Sequence, residues 1–137
     1  MNKTAVFLCG SVFGAAVAMA TVALAGTELD PVKLSPQLYT VRLDNDHVRV
    51  YEYRIAPGVK DPMHSHPHGL MYVLAGGTMR STSRAGVVSD VDVKAGDVIW
   101  RESVSHSLEN IGRSEVHALS VELKPAPPGP AARGGQG

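Results

Sequence analysis

Hydrophobic and polar positions along this chain alternate in short runs, and no stretch sustains a helical period. The runs are QLYTVRL (37–43), HVRVYEYRIAPG (47–58), LMYVLAGG (70–77), TMRSTS (78–83), AGVVSDVDVKAGD (85–97), DVIWRES (97–103), HSLENIG (106–112) and SEVHALSVELK (114–124). Val48, Val50, Tyr51, Tyr53 and Ile55 favour the extended state, as do Val87, Val91 and Val93. Turn residues punctuate the series: Asp-Asn-Asp at 44–46, Pro57-Gly58, Gly76-Gly77 and Ala-Gly-Asp at 95–97. About eight short strands without helices predict a single all-β domain, a sandwich or a barrel. In the last run the odd-numbered residues His117, Leu119, Val121 and Leu123 form the more apolar set. They are expected to face the core, which would carry His117 inward.

Both ends fall outside this pattern. From Ala5 to Ala25 every residue is apolar or small, Lys3 is the only charge before Glu28, and the run closes on VALAG. Ala23 and Ala25 give the small-x-small pattern of a signal-peptidase site. Residues 1–25 therefore read as a signal peptide, and the protein as exported, to the periplasm or beyond. The alternative is an uncleaved membrane anchor, since a run of about 20 apolar residues has the length of a span. At the other end, residues 125–137 (PAPPGPAARGGQG) have no periodicity and read as a flexible tail. The folded domain is expected over 29–124.

Cleavage would change the composition. Cys9, Phe7 and Phe13 leave with the leader, so the mature chain holds no cysteine and no phenylalanine. Disulfides, thiolate metal sites and cysteine nucleophiles are excluded. The 13 basic residues less Lys3 leave 12 against 13 acidic ones. That balance gives no electrostatic footprint for nucleic acid.

The candidate chemistry lies in PMHSHPHGLMYVLAGG (62–77), where His64, His66 and His68 occupy alternate positions and make up half of the chain's six histidines. On an extended chain His64 and His66 point the same way and can converge on one ion. A metal site, a proton-handling site and a surface accident are all open on that pair alone. His106, after AGDVIWRESVS, supplies a third imidazole from a later strand.

These residues resemble the two cupin motifs. Gly58, five residues, then His64-x-His66 and YVLAGG resemble the first; GDVIW followed by His106 and, four residues on, Asn110 resemble the second. The resemblance covers about residues 45–123. It implies a cupin-type jelly-roll β-barrel, the double-stranded β-helix, holding one divalent metal ion (Fe, Zn, Ni or Mn). His64, His66 and His106 take the ligand positions. The chain departs from the pattern in two places. The first motif's glutamate slot falls at Gly69, Leu70 or Met71, and no Asp or Glu occurs between Asp61 and Asp90. The second motif's Pro-x-Gly is replaced by Glu102 and Val104.

His68 is open to three readings: a fourth ligand, a proton carrier or an exposed loop residue. Glu102 near the barrel mouth is a candidate carboxylate behind a ligand. Asn110 is expected to fix a turn or orient His106. Tyr53, Met71, Val73, Met79, Trp100 and Leu108 are candidate cavity walls, with ordinary core as the alternative, and Trp100 is placed at the opening. Ser105 and Ser107 flank His106, but no G-x-S-x-G elbow supports a serine hydrolase.

Three neutral ligands leave a divalent ion its full charge and open positions, which favours a small anionic ligand or substrate. An oxygenase or lyase reading follows. A non-catalytic metal or small-ligand sensor, or an interaction module with vestigial histidines, are the other readings. Cupin barrels pair through strand edges, so a homodimer is expected, with 47–55 as the candidate edge.

Overall fold

The computed structural model describes residues 29–126. The candidate leader at 1–25, and the tail beyond residue 126, lie outside the described residues. The elements run in the order α1 (Pro31–Leu34), β1 (Tyr39–Asp44), β2 (Val48–Ile55), β3 (Lys60–His66), β4 (Gly69–Ala75), β5 (Gly77–Ser83), β6 (Val88–Val93), β7 (Val98–Arg101), β8 (Val104–Asn110) and β9 (Val116–Leu123). They form two antiparallel sheets of orders β1-β2-β9-β4-β7 and β3-β8-β5-β6. This is the all-β domain that the alternating runs foretell, in the jelly-roll form that the cupin resemblance implies. Tyr51, Ile55, Val73, Met79, Val93 and Val116 fill the core.

Two elements were not expected. The short helix α1 forms because Pro31 starts it and the Asp30 side chain caps it, accepting from the Val32 amide. Strand β3 hid behind its polar sequence, KDPMHSH. It tolerates Pro62 because it is the edge strand of its sheet. Its pairing with β8 shifts register between Asp61 and His64. This irregularity puts Asp61, His64 and His66 all in buried positions, which strict alternation would forbid.

Two expectations are corrected. Residues 47–55 are not an open edge, because β2 lies between β1 and β9. The chain turns back over 44–46 and β1 covers β2, so β1 and β7 are the edges of that sheet. In β9 the even set faces inward: Val116, Ala118, Ser120 and Glu122 are buried, while His117 and Leu119 are only half-buried. Side-chain polarity misled here, because the interior over this half of β9 is polar and receives a serine and a glutamate.

Gly69 brings β4 close to its neighbours. It pairs with Glu122 of β9 on one side and with Arg101 of β7 on the other. A Cβ there would stand 2.1 Å from the Val121 carbonyl oxygen.

Candidate metal centre

Cross-strand register builds the histidine cluster. His64 lies directly opposite His106 in the β3–β8 pair, and His66 follows two residues on. Ring centroids are 4.7 Å apart for His64–His66, 4.8 Å for His64–His106 and 5.5 Å for His66–His106. The ligand atoms of the three lie within 4.8 Å of one another.

Each ring is engaged at Nδ1. That of His64 donates to the Pro62 carbonyl at 2.7 Å, and Asp61 stands 3.6 Å away. That of His66 is 2.7 Å from Glu122 Oε1 and 3.0 Å from the Tyr51 hydroxyl. That of His106 meets Ser81 Oγ at 3.3 Å. This leaves the Nε2 lone pairs as the donors the three rings can offer to a common ion. His106 Nε2 is buried with no hydrogen-bond partner among the described residues. Tyr39 Oη lies 3.4 Å from His64 Nε2, but its proton already goes to Asp61 at 2.5 Å. An orphaned imidazole nitrogen beside two others is costly unless a cation receives it, so the donor set fits a divalent ion of the zinc or iron type.

The electrostatics favour the neutral form of His66 and His106, as ligation requires. Burial pushes His66 down to about 4, although its hydrogen bond to Glu122 pulls the other way. Burial, then the neighbouring imidazoles, push His106 down to about 3. Burial would raise Glu122, but the His66 hydrogen bond and the Arg49 guanidinium outweigh it and hold the carboxyl below its usual range. Burial, then Tyr53 and Asp61, keep the Tyr39 hydroxyl well above its ordinary value, so it stays a donor.

Sequence reasoning missed the groups behind the histidines. Arg49 binds Glu122 at 2.6 and 2.8 Å and Asp30 at 3.0 Å, giving a chain Asp30–Arg49–Glu122–His66. Ser35 and Tyr39 both donate to Asp61, beside His64. The signal was present only as register: Arg49 and Glu122 are direct partners across β2 and β9.

A cavity of about 220 Å³ opens in front of the cluster. His66 and His106 line it, with Tyr53, Met71, Met79 and Leu108 as expected. Val73 belongs to the core instead. Trp100 does not line the cavity: it is 55% exposed and its indole donates to Glu102. Parity along β7 explains this, since Ile99 and Arg101 are the residues that face the cavity. Glu102 is exposed, and the carboxylate that reaches the cluster is Glu122. His68 is exposed and stacks on Trp100 with ring centroids 6.2 Å apart, away from the three clustered rings. Asn110 is fully buried and fixes the turn after β8, donating to the Ile55 and Ser114 carbonyls and accepting from the Gly112 amide. The glutamate slot of the first motif falls on the cavity side only at Met71.

Residues 51–122 match the Cupin_2 family, described as "Cupin domain". The chain is 33% identical over 87 residues to the beta-alanine degradation protein BauB of Pseudomonas aeruginosa, across 62% of this chain and 90% of that protein. Among solved structures it is similar to a cupin domain from Bordetella pertussis Tohama I, at TM-score 0.59 and 26% identity, over 64% of this chain and 92% of the other. A cupin superfamily protein from Desulfitobacterium hafniense DCB-2 shares the fold at TM-score 0.50 and 18% identity, over 64% and 77%.

Proposed function

This chain belongs to the cupin family, and from that premise we propose that it is an exported protein binding one divalent metal ion through His64, His66 and His106. The ion and the cavity together take a small anionic ligand. The observation that carries this reading is the shared orientation of the three rings, each anchored at Nδ1 by a protein oxygen. A divalent ion there supplies Lewis acidity and open coordination positions. The chain's own residues do the rest. Glu122 and the Pro62 carbonyl fix the ring tautomers, and the apolar walls exclude water. Arg101 adds a positive charge to the cavity. An oxygenase or lyase is the activity best matched to such a site. Export rests on the apolar run 5–25 and its closing VALAG.

The name of the Pseudomonas relative brings β-alanine forward as a ligand. The cavity argues against it, because no Asp or Glu is among the lining residues to receive an ammonium group. A second reading, a sensor that binds without turnover, is favoured by Met71 standing where the family pattern has a glutamate ligand.

Elemental analysis of protein purified without chelator or histidine tag tests the metal reading. About one equivalent of Fe, Zn, Ni or Mn is expected, and none in a His64→Ala, His106→Ala double variant. Equal metal in both would remove the assignment. Oxygen uptake with a panel of small acids then separates enzyme from sensor.

A further inference from the structure

The cavity in front of the histidines is apolar along most of its wall: Met71, Met79, Val91, Val93, Ile99 and Leu108 line it. One arginine is among the lining residues, Arg101, whose side chain is 17% exposed. Its Nε and Nη2 atoms are buried and have no hydrogen-bond partner among the described residues. These two donors share one edge of the guanidinium, the edge that matches the two oxygens of a carboxylate. Glu122 does not satisfy them: its nearest oxygen is 3.8 Å from Nη2 and is already held by Tyr51 and His66. A buried guanidinium edge without a protein acceptor is costly, and a ligand carboxylate has the geometry to meet it.

We propose that Arg101 anchors the carboxylate of a monoanionic ligand with an apolar body, such as a short-chain fatty or arylalkanoic acid, and that the Met71–Val93–Leu108 wall receives that body. Two features select this class. The apolar wall rewards each methylene buried, by about fourfold in affinity. The lack of any lining carboxylate penalises a second, cationic group on the ligand, so amino acids are rejected. The inference deepens the proposed metal site and rests on it for the position of the ligand. Binding of the acid itself is nevertheless measurable on metal-free protein.

The test is an affinity series on the full chain, metal-free and zinc-loaded, followed by NMR titration. The probes are acetate, propanoate, butanoate and pentanoate, with pentanol as uncharged control and 5-aminopentanoate as zwitterionic control. Affinity should rise about fourfold per methylene until the cavity is filled. Pentanol and 5-aminopentanoate should bind about tenfold or more weakly than pentanoate. On the metal-free protein Arg101→Met should abolish the preference for pentanoate over pentanol, and Arg101→Lys should restore part of it. A flat series, pentanol equal to pentanoate, or an unchanged preference in Arg101→Met overturns the inference, as does the absence of any acid binding. If Arg101→Met fails to fold, the wild-type comparison of acid with alcohol still decides. Protein that takes up no zinc on loading, yet gives a rising series, would defeat the metal reading alone. A flat series on protein that holds metal would defeat this inference alone.

Discussion

The His66 ring is gripped at Nδ1 by Glu122 and Tyr51, which leaves Nε2 as the atom it offers to a metal. A carboxylate in that place orients the imidazole and raises its basicity as a ligand. Glu122→Gln should therefore lower metal affinity by about 10- to 100-fold, read by chelator competition. An unchanged affinity would show that the carboxylate only holds the sheet together. The lowered values of His66 (about 4) and His106 (about 3) also make a statement about stability. In the unfolded chain these rings take up protons near pH 6.5, and in the folded chain only well below that. Their contribution is intact above pH 6.5 and is lost as pH falls toward 4 and then 3. Each ring adds a slope of up to about 1.4 kcal/mol per pH unit in that window. Urea unfolding of metal-free protein at pH 7 and pH 5 should show the drop, and a double variant lacking both rings should flatten it.

At the scale of the strand, parity decides function. On β4, Met71 faces the cavity with His66 and His106, while Leu70 pairs with Trp100 on one side and Val121 on the other. Met71→Glu should tighten metal binding and weaken anion binding by about tenfold or more, because it places a negative charge beside the ion. Leu70→Glu should leave anion affinity unchanged; matching effects from the two would mean that the strand is read in the wrong register. The strand content was legible, because β-branched and aromatic residues alternate between clear turns. Parity was legible in β2, where Tyr51, Tyr53 and Ile55 dominate the inner face. It was not legible in β9 or β7. There the inner face carries Ser120, Glu122 and Arg101, and the outer face carries apolar residues such as Trp100. A polar site inside a barrel inverts the pattern that a hydrophobic core would write.

Across the whole molecule, the segment ahead of the first strand is tied to β3, which carries His64 and His66, and through Arg49 to Glu122 of β9 behind His66. The Leu29 carbonyl accepts from the Ser65 amide, between the two histidines of β3. Asp30 holds Arg49, which holds Glu122, and Ser35 and Tyr39 hold Asp61. Removing one partner of such a buried network costs more than the bond itself, because the remaining charge stays desolvated. Arg49→Met should destabilise the fold by about 3 kcal/mol and weaken metal binding together, through the stranded Glu122. Asp30→Asn, which keeps an oxygen for Arg49 and for the α1 cap, should cost about 1 kcal/mol and leave the metal in place. Thermal unfolding with and without chelator measures both. Identical losses from the two variants would show that the network does not reach the metal.

The sequence by itself determined most of the strands, the turns and the placing of His64 and His66 on one face, while His106 joined them through the resemblance to the second cupin motif. The strands, the turns and the paired rings follow from local propensity and from a spacing, H-x-H, that puts two rings on one face of any extended segment. Only the tertiary structure decided which other charges share the interior. Glu122, Asp61 and Arg101 carry no mark in the sequence, because a buried, paired carboxylate and a solvated one are the same letter. Their burial is fixed by cross-strand register and by the irregularity after Asp61, which are properties of the pairing of distant segments.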